Sequence, residues 1–111
     1  MKIIGLDQVA EASVSHNRAI KKRVLLGSHD LPHLTNFSQA RFSPGDIAPG
    51  HSHGDMAEVF FIESGQGTIF LNGQPYPLGP GTCIAVEPNE HHEIANTGHQ
   101  DLVVTYFGLR V

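Results

Sequence analysis

The sequence predicts an all-β protein, a sandwich or barrel of short strands. Runs that are apolar, or that alternate apolar with polar residues, recur along most of the chain. Gly, Pro, Asn and Asp separate them about every ten residues. One pair of runs, GTIFL and QPYPL, is joined by Asn72-Gly73, a dipeptide that suits the primed hairpin turn and so matches the twist of paired strands.

Taken in order, residues 1–19 read as an N-terminal arm, with one short helix expected over Leu6 to Ala12, and residues 20–111 as a single barrel domain. The strand candidates are KRVLLGS from Lys22, LTNFSQARF from Leu34, AEVFFIE from Ala57, GTIFLN from Gly67, GTCIAVE from Gly81, HHEIAN from His91 and DLVVTYFGLRV from Asp101. SGQG at 64–67 marks a tight turn and PLGPGT at 77–82 a Pro/Gly corner.

A chain of 111 residues supports one core. No apolar run approaches the ~20 residues of a membrane span, and MKIIGLDQVAE lacks a secretory apolar stretch and cleavage site, so a cytoplasmic protein without a membrane partner is expected. The single Cys83 excludes an internal disulfide and fits a reducing compartment, and its neighbours TCIAV predict a small buried hydrophobe. Net charge is −4, unevenly spread. RAIKKR at 18–23 holds four positive charges and leaves three positives against eleven negatives elsewhere. Without interleaved aromatics, in an acidic chain, this run reads as a solvated segment or charged edge strand, and no nucleic-acid partner is expected.

Histidine is the outlier, with eight copies, four of them in two blocks: PGDIAPGHSHGDMAEVFFIESGQG at 44–67 and EPNEHHEIAN at 87–96. Alternate side chains of a strand share a face, so His51 and His53 are expected to point the same way. GDMA then reads as a tight turn whose hairpin returns Glu58 opposite the two histidines. The second block delivers His92, with Ile94 and Asn96 on its face. Three imidazoles and one carboxylate suit one divalent transition metal, whether Fe, Mn, Ni, Zn, Co or Cu. Four such groups facing one another without an ion would be costly to desolvate. They fill four positions of an octahedral ion and leave about two for water, O2 or a bidentate substrate. Phe42, Met56, Phe60, Ile62, Phe70, Ile94 and Tyr106 are the candidates for an apolar pocket that takes a small-molecule ligand. His33, His91 and His99 read as solvated.

These residues resemble the cupin superfamily. Its first motif runs glycine, five residues, His-x-His, three or four residues, Glu, six residues, glycine, and Gly45, His51, His53, Glu58 and Gly65 match every position. In the second motif Gly81, His92 and Asn96 match, while Glu87 stands where proline is usual and Asn89 where glycine is usual. Neither departure touches a ligand, and Asn is the next best residue for a left-handed turn position. The resemblance covers roughly residues 34–108. It implies a double-stranded β-helix, or jelly-roll barrel, with its metal and ligand site inside.

Fold does not choose the function. A metal-dependent dioxygenase-type oxidoreductase is favoured by the apolar surroundings. A sugar or sugar-phosphate isomerase or epimerase is the alternative, ranked lower because phosphate wants Arg or Lys near the mouth. Beyond Lys2 and the basic run only Arg41 and Arg110 are available. A non-catalytic metal- or ligand-binding module is the third reading. Finally, KRVLLGS has three consecutive apolar residues and DLVVTYFGLRV is apolar on both faces, which predicts a homodimer that covers the outer surface.

Overall fold

A computed structural model describes all residues, 1–111. Ten strands follow one short 3-10 turn at Leu6–Gln8: β1 Ala12–Val14, β2 Asn17–Leu26, β3 Leu34–Phe42, β4 Ile47–His51, β5 Met56–Ser64, β6 Gly67–Leu71, β7 Gln74–Leu78, β8 Cys83–Val86, β9 His92–Ala95 and β10 Leu102–Arg110. They form a six-stranded sheet in the order β1-β2-β3-β10-β5-β8 and a four-stranded sheet in the order β4-β9-β6-β7. All pairings are antiparallel. From β3 onward every connection except the β6–β7 hairpin passes from one sheet to the other, which is the jelly-roll arrangement expected from the motifs. No helix is long and apolar enough to cross a membrane.

The core lies between the sheets. Ile20, Ile62, Ile69, Leu78, Leu102 and Val104 are almost wholly buried there, one or more from each of β2, β5, β6, β7 and β10. Period-two alternation explains the selection: in β10, Leu102, Val104 and Tyr106 face inward, opposite Phe42, Ala40 and Ser38 of β3. Asn72 and Gly73 both have positive φ, 49° and 83°, in a two-residue loop between Leu71 and Gln74, as the primed turn requires. Asn89 takes φ 70° in the second motif's turn. Gly65 has φ 89°, and a Cβ there would collide with the carbonyl of Asp101.

Several local expectations are corrected. The helix over Leu6 to Ala12 is only the three-residue turn, because Val9 is already extended and Ala12–Val14 pair with β2, which a helix too short to sustain itself cannot oppose. β2 begins at Asn17, so it runs across the line between residues 19 and 20. β4 and β5 are not a hairpin, since they lie in different sheets. Cys83 is exposed: it pairs with Phe61 on the outer face, while Ile84 and Val86 take the inward positions of β8.

Candidate metal centre

Four side chains from three elements and one connection meet inside the barrel. His51 ends β4 and pairs in register with His92 at the start of β9. Glu58 points inward from β5 of the facing sheet, and His53 lies just past the end of β4, on the connection to β5. Their ligand atoms all lie within 4.8 Å of one another. Donors about 2.0–2.2 Å from a common ion stand roughly 3 to 4.3 Å apart, so a small contraction closes the set. Glu58 and His92 are buried, with only 8% and 2% of their surface exposed, whereas His51 and His53 are half-buried toward the opening.

Hydrogen bonds orient the rings. Nδ1 of His51 lies 2.9 Å from the carbonyl of Pro49, and Nδ1 of His92 lies 3.0 Å from that of Glu90. A carbonyl only accepts, so Nδ1 carries the proton in both rings and Nε2 is left free to accept or to bind a cation. Nε2 of His92 and of His53 then face the same carboxylate oxygen, Oε1 of Glu58, at 3.1 and 3.4 Å. With His92 Nδ1 already a donor, its Nε2 and Glu58 attract only if a second proton or a metal cation lies between them. The donor set therefore fits a divalent ion. In the metal-free state, burial lowers the His92 pKa, but the hydrogen bond to Glu58 and the carbonyl of Glu90 outweigh it and hold the imidazole above its ordinary value. Burial pushes His51 below its ordinary value, the Pro49 hydrogen bond opposes this, and the neighbouring imidazoles add to it.

A cavity of about 200 Å³ opens beside these four residues. Phe42, Met56, Phe60, Ile94 and Tyr106 are among the residues that line it. Phe60 and Tyr106 stack with centroids 5.7 Å apart. Burial raises the Tyr106 pKa, although a hydrogen bond to Ser38 works against the rise, so the phenol stays protonated. Phe70 does not line the cavity. On β6 the inward position belongs to Ile69, and its neighbour Phe70 faces the other way. Ile62 is fully buried in the core. His33, His91 and His99 are exposed, the His91 ring packing against the backbone of Gly50.

Eight of the lining residues were not singled out from the sequence, and two of these, His16 and Lys22, carry titratable side chains. His16, in the β1–β2 turn, places its ring 4.9 Å from that of His51 at the rim. Asn17 holds this turn in place by donating to the carbonyl of Ile47 on β4. Lys22 lines the cavity from β2. The signal was available: two residues before it stands Ile20, and alternate residues share a face.

A family model described as Cupin domain matches residues 38–108, which includes all four converging residues. The chain belongs to the cupin family. Among proteins similar to this cupin is the oxalate-binding protein of Thermotoga maritima, 32% identical over 104 residues, covering 85% of this chain and 86% of that protein. Auxin-binding protein 1 of Arabidopsis thaliana is 36% identical over 72 residues, but this cupin spans only 36% of its length. A crystal structure of a Thermotoga maritima protein described as a predicted oxalate decarboxylase superposes with TM-score 0.89 over 99% of this chain and 100% of that one, at 22% identity. That likeness supports the fold.

Proposed function

We propose that this cupin is a metal-dependent small-molecule protein whose ion is held by His51, His53, Glu58 and His92, and that it acts as an oxygenase-type oxidoreductase. One observation carries the reading: the four ligand groups converge on one wall of a small cavity whose other walls are largely apolar. A divalent ion bound there would supply a Lewis acid with open positions for a substrate oxygen and O2. The chain's own residues do the rest. Phe42, Phe60 and Ile94 exclude water from the reacting centre. The Tyr106 phenol, kept protonated by burial, is a hydrogen-bond donor for a substrate oxygen. The test is elemental analysis of the purified protein, then oxygen uptake by metal-loaded protein with small diketones and catechols. Uptake that depends on both metal and substrate supports the oxygenase; metal loading without uptake on any of them counts against it.

A second reading, a ligand-binding module without turnover, is favoured by one comparison. One relative that this chain matches along most of both lengths is named for binding oxalate. Calorimetry with oxalate, combined with a search for its breakdown products, separates binding from catalysis.

We also propose that two copies associate through the outer face of the six-stranded sheet. Phe37 and Phe107 stack there at 6.1 Å, next to Val59, and Phe61 leaves 43% of its surface exposed. A second copy laid on this ridge would cover it. The lone exposed Cys83 on the same face fits a reducing, cytoplasmic setting.

A further inference from the structure

The cavity contains one cation that the metal site does not use. Lys22 pairs with Ala40 of β3, and Ala40 is buried against the core and lines the cavity. Directly paired residues share a sheet face, so the Lys22 side chain belongs to the inner face. Its neighbours in the basic run face outward and are engaged. Lys21 donates to Ser13 and to the carbonyl of Arg18, while Arg23 reaches the carbonyl of Leu6 and, at 4.0 Å, Glu11. Lys22 takes part in none of the chain's ion pairs. Lys22 as a residue is half-buried, its stem lying along the cavity wall, and its charge has no acidic partner.

The charges around it point one way. The only carboxylate lining the cavity is Glu58, and Glu58 faces His53 and His92. With a divalent ion in place, Glu58 offsets only part of the ion's charge. Lys22 then leaves the cavity with a surplus of positive charge that no other carboxylate lining it offsets.

We propose that Lys22 is the specificity-determining residue of the cavity, and that it selects a small organic carboxylate, neutralising one negative group of a ligand whose other oxygen donors face the ion. This rests on the metal reading above and names the ligand class for it. Phosphate is disfavoured, because no arginine fork lines the cavity and the fold offers no α-helix N-terminus to hold a phosphate. The volume of about 200 Å³ lies below the ~300–1,000 Å³ of pockets that enclose drug-sized ligands, which limits the carboxylate to a few carbons.

The experiment uses the full chain loaded with Co(II), whose visible spectrum reports the ion's surroundings. Wild type, Lys22→Met and Lys22→Arg are titrated calorimetrically with oxalate, malonate and succinate, with malonamide as the uncharged isostere, and with inorganic phosphate. Wild type should bind at least one dicarboxylate about tenfold or more tightly than malonamide. Lys22→Met should lose that preference while taking up Co(II) with an unchanged spectrum, and Lys22→Arg should keep part of it. Failure of wild type to take up Co(II) is the separate failure of the metal reading. The same titrations on metal-free protein then decide, Lys22-dependent dicarboxylate binding supporting the proposal and its absence overturning it. Equal dicarboxylate binding by wild type and Lys22→Met, no preference over malonamide, or tighter binding of phosphate than of every dicarboxylate each overturns it.

Discussion

Glu58 and His92 belong to different sheets, yet Oε1 of one and Nε2 of the other lie 3.1 Å apart. The contact joins β5 and β9 across the interior and makes the candidate centre a bridge between the two layers. Removing one end should be felt in metal content before it is felt in the strands. His92→Ala and His53→Ala should each lower metal affinity by at least about tenfold, since even indirect supports of metal ligands cost that much. Far-ultraviolet circular dichroism should keep its β signature. An unchanged metal-to-protein ratio in both variants would defeat the site assignment.

Metal uptake should weaken as pH falls. His92 in the metal-free protein is held above the ordinary imidazole pKa by Glu58 and the Glu90 carbonyl. A proton competes with the metal for the same nitrogen, and a raised pKa moves that competition to higher pH. Affinity should therefore fall between about pH 8 and pH 6, with proton release on binding that grows as pH drops through this range. Calorimetry in buffers of different ionisation enthalpy measures it, and pH-independent affinity across the range contradicts the ligand role of His92.

Two glycines with nearly the same φ should respond differently to substitution. Gly73 has open space where a side chain would start, whereas at Gly65 a Cβ would meet the Asp101 carbonyl and the Cα of Leu102. Gly73→Val should cost about 1–3 kcal/mol through backbone strain. Gly65→Ala carries the same kind of strain and a collision with backbone, and should cost more than Gly73→Ala. Thermal unfolding of the two alanine variants gives the order, and equal midpoints would contradict it.

Asn96 ends the second motif without touching the four ligands. It is buried, donates to the carbonyls of Phe42 (2.9 Å) and Gln100 (2.8 Å), and accepts from the Gly98 amide. Asn96→Ala leaves the buried Phe42 carbonyl without this partner and should cost about 1–3 kcal/mol of stability. Denaturant titration checks this, and wild-type stability would show that water replaces the side chain.

The assembly prediction is read by mass. Light scattering at micromolar concentration should give about twice the 12.0 kDa of one chain. Phe61→Lys, on the outer face, should shift it toward one chain. A wild-type mass near 12.0 kDa would overturn the dimer.

β3, β5 and β10 were legible as runs rich in apolar, aromatic and β-branched residues, bounded by turns that carry Gly, Asn or Pro. β1 was too short to show a period, and β4, IAPGH, contains the Pro and Gly that ordinarily argue against a strand. The ligand types were legible because His and Glu at those spacings have few other uses. Their geometry was not: adjacency in sequence made β4 and β5 look like a hairpin, whereas the jelly roll sends them to opposite sheets. Lys22 was hidden by its neighbours. Four cations in six residues read as one solvated block, but a strand separates them by face.

The split of the ligands between layers also sets an order in time. His51 and His92 stand together only once β4 and β9 have paired, and Glu58 reaches them only when the second sheet has closed over the first. An unfinished chain offers an ion at most His51, His53 and Glu58 on a loose segment, a poor chelate. An ion held by all four would therefore load after closure and would then fasten the two layers. The metals present where the chain finishes folding, rather than the ranking of intrinsic affinities alone, would then decide which ion such a site takes.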